Sequence, residues 1–387
     1  MTRPLLNRRL DRLGTTIFAE MSALAVTTGA INLGQGFPDT DGPESVREAA
    51  VGALRDGHGN QYPPGMGVPE LRVAIADHQR RFYGLDFDPD SEVLVTAGAT
   101  EAIAAAMLAL LEPGDEVIAF EPFYDSYAAS IAMAGGVRVP LTLRAPGFRP
   151  DLDALRAAVT SRTRLLLLNS PHNPTGMVLT RDELTDIAEL AVERDLIVVT
   201  DEVYEHLVFD GEHIPLISLP GMRDRTVSIS SAGKTFSFTG WKVGWVTASA
   251  PLVAAVRTTK QFLTYVASGP FQYAIAEALR LPDTYYTAFR DDLQAKRDFL
   301  ADGLTTAGFE VYRPQGTYFI TTDIASLGEK DALAFCRSLP DRCGVVAVPN
   351  SVFYDDPDAG STQVRFAFCK KDYVLHEAVS RLQRLTS

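Results

Sequence analysis

The sequence predicts an α/β fold, in which a mostly parallel sheet is covered by helices on both faces and a smaller α+β domain is attached. Between Val93 and Thr247, short continuous apolar runs alternate with helix-length segments. This is the pattern of strands buried on both faces of a parallel sheet. Beyond about Leu281 the rhythm changes to shorter strand-like runs. A chain of 387 residues is also long for one core, so two domains are expected.

Taken in order, Val93–Thr96 reads as a strand and precedes a helical run over Thr100–Leu111. A Pro113-Gly114 turn leads into a strand at Val117–Phe120. Leu165–Leu168 comes next, then an amphipathic helix over Asp182–Arg194 and a strand at Leu196–Val199. Thr226–Ile229 and Val243–Thr247 complete the first series. In the second part, Val311, Thr317–Thr321, Val345–Val348 and Val364–Phe368 read as strands, with helices at Ala332–Ser338 and Val374–Leu385. The division expected is residues 1–45 as an N-terminal arm and part of the small domain, 46–282 as the large domain and 283–387 as the small C-terminal domain. The arm either joins the small domain or reaches across to a partner subunit.

With 46% hydrophobic and 22% charged residues the composition is that of a soluble globular enzyme. A net charge of -13 disfavours nucleic acid and anionic membranes as partners. Cys336, Cys343 and Cys369 are odd in number and lack Cys-x-x-Cys spacing, which fits a reducing compartment with no disulfide frame or structural zinc. The first stretch carries Arg3, Arg8, Arg9, Asp11 and Arg12 but no apolar core of a secretory signal. The longest apolar run, Ala102–Leu111, is about half the ~20 residues of a membrane span. A cytoplasmic location is expected.

Ligands of parallel sheets bind beyond the carboxyl ends of the strands, and the polar motifs of this chain all follow strands. Lys234 stands among small residues in Ser230-Ser231-Ala232-Gly233-Lys234-Thr235, after the run Thr226–Ile229. Gly233-Lys234-Thr235 is no P-loop, because Ser228 stands where the first glycine is required. Asp201 and Tyr204 follow Leu196–Thr200; by itself Asp201 reads equally well as a helix N-cap. Asn169-Ser170-Pro171-His172-Asn173-Pro174-Thr175-Gly176 contains turn formers throughout. Gly98-Ala99-Thr100 opens a helix after a strand, where exposed backbone N–H groups favour phosphate. Arg365 lies in the apolar run Val364–Phe368 and needs a partner, either a strand-edge carboxylate or a bound one matching its planar fork. Gly34-Gln35-Gly36-Phe37-Pro38-Asp39 fails as a dinucleotide fingerprint, with Asp39 in place of the third glycine. None of His58, His78, His213 and His376 shows metal-ligand spacing, and His172 and His206 lie beside the motifs, so no metal site is expected.

The order and spacing of these motifs, with Gly240-Trp241-Lys242-Val243-Gly244-Trp245, resemble the class I aminotransferases of fold type I along nearly the whole chain. Thr16–Leu24 and Gly36–Pro43 are most similar to the methionine, kynurenine and N-succinyldiaminopimelate aminotransferase branch. The resemblance implies an enzyme that binds pyridoxal 5′-phosphate (PLP) as a Schiff base on Lys234 and moves an amino group to a 2-oxo acid by ping-pong steps. It implies that Asp201 keeps the ring nitrogen protonated, that Tyr204 and Asn173 meet the ring oxygen, and that Tyr124 stacks on the ring. Gly98, Ala99, Thr100, Ser231 and Lys242 would hold the phosphate, joined by Tyr62 from the neighbouring subunit of a homodimer with a shared site. Within one chain Tyr62 also reads as a turn aromatic. Arg365, Asn173 and the N–H of Gly36 would take the substrate carboxylate. Phe123 and Tyr127 read as core. The same residues also serve PLP enzymes of β- or γ-elimination, substitution or cyclisation, an alternative outcome left open. A PLP-sensing transcription regulator is disfavoured by the acidic charge and by the roughly 33 residues that precede Gly34.

Overall fold

In the computed structural model residues 6–10 and 16–385 are described, so Arg3, Asp11 and Arg12 lie outside the described residues. A seven-stranded sheet runs in the spatial order Val93–Thr96, Gly244–Thr247, Thr226–Ser231, Ile197–Asp201, Thr163–Asn169, Glu116–Glu121, Val137–Thr142. All neighbours are parallel except Gly244–Thr247, which is antiparallel to both of its partners. The continuous leucine run shows why: Leu165 and Leu167 pack into one core with the helix Gly98–Leu110, while Leu166 and Leu168 pack into another with Arg181–Glu193. Successive strand residues point to opposite faces, so a strand covered on both needs apolar residues at every position. The helix Arg181–Glu193 starts at a capping box made by Thr180 and Glu183.

The strand Val137–Thr142 has no counterpart among the sequence expectations. It sits at the sheet edge, only partly buried, with Pro140 in its middle, and an edge strand tolerates both features.

The second sheet is antiparallel, in the order Val348–Pro349, Gln363–Ala367, Phe319–Asp323, Glu310–Tyr312. The helices Asp283–Thr306, Ala332–Cys343 and Asp372–Leu382 complete this α+β unit. Val345–Val348, expected as one strand, is split between two sheets. Val345–Val346 pairs in parallel with Ile31–Asn32 of the arm, and Val348–Pro349 pairs with Gln363–Ala367. The arm causes the split by wedging in: Leu33 donates to the Val346 carbonyl and accepts from the Ala367 N–H. Among the described residues no helix is long and apolar enough to cross a membrane.

Candidate active site

A cavity of about 360 Å³ lies where the two units meet. Asn169, Asp201 and Ser231 line it, and each is the last residue of its strand in the large sheet. Phe319 and Arg365 reach it from the small sheet, and Phe18, Gln35 and Gly36 from the arm. Of the residues singled out in the sequence, Gly36, Gly98, Ala99, Thr100, Tyr124, Asn173, Asp201, Tyr204, Ser231, Lys234, Lys242 and Arg365 all line this one cavity. Tyr62 does not. It is 81% exposed and stands edge-on to Tyr265 at 5.3 Å.

Lys234 occupies a single-turn helix, Ala232–Thr235, that caps the strand ending at Ser231. Among the described residues its Nζ makes no hydrogen bond or ion pair, and it lies 5.6 Å from the ring centres of both Tyr204 and Tyr318. Burial pushes the amine down to about 8; neighbouring Cys369 and Asp201 oppose the shift, while Lys242 and Arg365 add to it. The result is a lysine that loses its proton far more readily than an exposed one, and neutral lysine is a nucleophile and a base.

Asp201 is buried, and its Oδ2 accepts from the Tyr127 hydroxyl at 2.6 Å. Burial raises this carboxyl, and the Tyr127 bond and the Val203 N–H pull it back. Asn169 donates to the Asp201 carbonyl at 2.8 Å and accepts from the Asn173 N–H at 2.7 Å. One amide therefore ties the strand end to the Asn173 loop.

Gly98 has φ +78° at the start of the helix Gly98–Leu110, and Lys242 lies against it in the left-handed region with φ +54°. A Cβ on Gly98 would stand 3.0 Å from Lys242 Nζ. Helix N–H groups, the Ser231 hydroxyl and the Lys242 ammonium make an anion cradle.

Arg365 is 1% exposed on a strand flanked on both sides, so the strand-edge reading fails. Its guanidinium donates to Asn173 Oδ1 at 2.9 Å and to the Gly34 carbonyl at 3.0 Å, while its Nε is buried without a partner. The Phe319 ring lies 4.0 Å away, and Phe18 at 5.1 Å flanks it too. No described carboxylate lies within salt-bridge distance, and burial lowers the group to about 10. A buried cation bonded only to neutral groups suits a carboxylate ligand. The Gly36 loop is packed against the neighbouring strand Phe319–Asp323: a Cβ there would come within 2.3 Å of the Phe319 ring.

Tyr127 packs in the core as expected and has a further role: its hydroxyl donates to Asp201 and it lines the cavity. Phe18, Phe238 and Phe319 were also not singled out, since apolar side chains at a cavity wall carry no motif; the polar Gln35 also lines the cavity, its amide donating to the Phe18 carbonyl and the Ser22 hydroxyl.

Residues 28–382 match the family described as aminotransferase class I and II. The fold superposes on N-succinyldiaminopimelate aminotransferase from Mycobacterium tuberculosis with a TM-score of 0.96 and 55% identity, covering 98% of this chain and 100% of that one. The methionine aminotransferase of Escherichia coli is 43% identical over 97% of both chains. Human kynurenine–oxoglutarate transaminase 1 is 36% identical over 99% of each. Similarity of this extent, running through both units and every strand end that meets the cavity, makes this chain a member of the class I and II aminotransferase family.

Proposed function

We propose that this aminotransferase holds PLP in the cavity at Lys234 and works as a homodimer with a shared site. The observation that carries the reading is the Lys234 amine, depressed to about 8 and free of hydrogen bonds, in one cavity with Asp201 and an anion cradle. These are the groups an aldehyde with a ring nitrogen and a phosphate requires, so the residues fit the cofactor. Gly98, Ala99, Thr100, Ser231 and Lys242 would hold the phosphate, Asp201 would take the ring nitrogen, Tyr204 and Asn173 would meet the ring oxygen, and Tyr124 would stack on the ring.

When bound, PLP withdraws electrons from the substrate Cα and makes its C–H acidic. Arg365, Asn173 and the Gly36 N–H hold the α-carboxylate and so aim that C–H. Lys234 Nζ would take the proton from the substrate Cα and hold it for return, serving first as base and then as acid. Tyr127, donating to Asp201, and Asn169, bracing Asn173, keep both groups in place.

The domain division 1–45, 46–282 and 283–387 and a cytoplasmic location belong to the same proposal, as does the absence of nucleic-acid and membrane partners. The exposed Tyr62 is assigned to the partner's phosphate. A Tyr62→Ala chain should hold PLP about tenfold more weakly than wild type. Mixing it with a Lys234→Ala chain should return native affinity to one site per hybrid dimer, since the Tyr62→Ala chain's Lys234 then faces an intact Tyr62. Equilibrium dialysis of the hybrid decides this, and unimproved affinity rejects the shared site.

The relatives name the amines to try first: N-succinyldiaminopimelate, then methionine and kynurenine. The test is addition of each to the PLP-loaded enzyme without a 2-oxo acid. Transamination releases one equivalent of product 2-oxo acid per site and then stops until an acceptor is supplied. Continuous product and no need for an acceptor would assign elimination or cyclisation instead.

A further inference from the structure

Around the turn that follows the strand ending at Asp201 lies a cluster of titratable groups that the amino-transfer site does not use. His78, from the helix Pro69–Tyr83, meets His206 with their Nε2 atoms 2.7 Å apart. Glu205 stands beside them, and one ligand atom from each of His78, Glu205 and His206 lies within 4.8 Å of the others. His78 and Glu205 are buried and His206 partly so. We propose that His78, His206 and Glu205 form a binding site for one zinc-like divalent transition metal ion.

Two features carry this. The donor set is two imidazoles and a carboxylate, which zinc and cobalt favour, already gathered with the two Nε2 atoms 2.7 Å apart. The carboxylate is oriented from behind, with Glu205 Oε2 accepting from the Tyr83 hydroxyl at 2.6 Å and its Oε1 from the Ser230 hydroxyl. Metal-bound carboxylates are commonly steadied by such outer hydrogen bonds.

The charge around the cluster is a separate argument. Glu202, also buried, accepts from Thr200 at 2.6 Å and meets His213 at 2.9 Å. No described lysine or arginine lies within salt-bridge distance of Glu202 or Glu205. The nearby Arg81 is engaged by Asp283 and the Leu281 carbonyl. His213 Nδ1 is buried without a partner. Two buried carboxylates met by hydroxyls and one imidazole, with no described lysine or arginine beside them, suit a cation.

In a tetrahedral zinc site the ligand atoms stand about 3.3 Å apart. The imidazoles must therefore separate by roughly 0.6 Å, and Glu205 must move inward. The imidazole that donates across the pair shifts its proton to Nδ1, and Glu205 releases any proton it carries. The partly exposed His206 gives the ion a way in. Because Glu205 and His206 follow Tyr204 and Ser230 precedes Ser231, the ion would brace both turns that border the amino-transfer cavity.

The test is titration of chelator-treated, tag-free, PLP-saturated enzyme with Co²⁺, read by visible absorbance and calorimetry, followed by displacement with Zn²⁺. One Co²⁺ per chain should bind with a Kd below about 10 µM, with the visible bands of a four- or five-coordinate ion. His206→Phe, which keeps an aromatic ring, and Glu205→Gln, which keeps the volume, should each weaken binding about 100-fold or more. His376→Ala, on an exposed helix face, should leave it unchanged. Absence of a tight site in the wild type, or binding retained in both His206→Phe and Glu205→Gln, overturns the proposal. Should Glu205→Gln misfold, as judged by circular dichroism, His206→Phe decides. Since the readout is metal binding, the result is independent of whether Lys234 carries the cofactor.

Discussion

Lys234→Ala folds, retains PLP through the phosphate cradle, and loses turnover by roughly 10⁴-fold or more, the scale expected when one group supplies both nucleophile and proton carrier. Removing this side chain leaves no described hydrogen-bond partner unsatisfied, because its Nζ has none among the described residues. The circular dichroism spectrum should therefore match wild type while activity vanishes. Turnover within tenfold of wild type would remove Lys234 from the chemistry.

The depressed amine adds a pH signature. Lys234 is neutral above about 8, so capture of PLP by cofactor-free enzyme should speed up as pH rises through 8 and then level off, as stopped-flow absorbance would record. The same shift links to stability. The folded value lies below the ordinary 10.5, so between about 8 and 10.5 the folded chain binds fewer protons than the unfolded chain. Cofactor-free wild type therefore gains stability from this group as pH rises across that window. Lys234→Ala should lack that increment in denaturant titrations at pH 8 and 10.

Arg365→Ala should weaken amino-acid binding far more than it slows the step that follows. Truncating one partner of a buried, hydrogen-bonded charge pair costs about 3 kcal/mol, or roughly 10²-fold in KM for the amino acid. Arg365→Lys should restore little, since an ammonium cannot present two parallel N–H groups to a carboxylate. A decarboxylated amine should discriminate poorly between wild type and variant. An unchanged amino-acid KM in Arg365→Ala would place the carboxylate elsewhere. The variant also strips a donor from Asn173 Oδ1 and from the Gly34 carbonyl, so its melting temperature must be measured alongside.

The large sheet was legible because full burial of a strand leaves an unbroken apolar run, as in Leu165–Leu168, and the strand end is then where polarity returns. Asn169, Asp201 and Ser231 are such returns, and they meet at the cavity. Where burial is partial the pattern fades, which hid the edge strand Val137–Thr142. Arg365 stood out because a charge inside an apolar run demands a reason. Tyr127 did not, since a tyrosine suits a core whether or not its hydroxyl has work to do. The His78–His206 contact joins residues 128 positions apart; metal spacing within one motif cannot reveal a pair that only tertiary folding creates.

The parallel pairing of Ile31 with Val345 has a consequence for how the chain is made. At about 5–20 residues per second, a ribosome needs roughly 15–60 s to travel from one to the other. During that interval Met21, Ala25 and Leu33, all buried in the finished protein, lack most of the partners that will cover them. The large domain can complete its sheet while the arm still waits. Nascent chains stalled before Val345 should therefore expose an apolar amino-terminal helix, an attractive target for chaperones, long after the cofactor-binding half has taken shape.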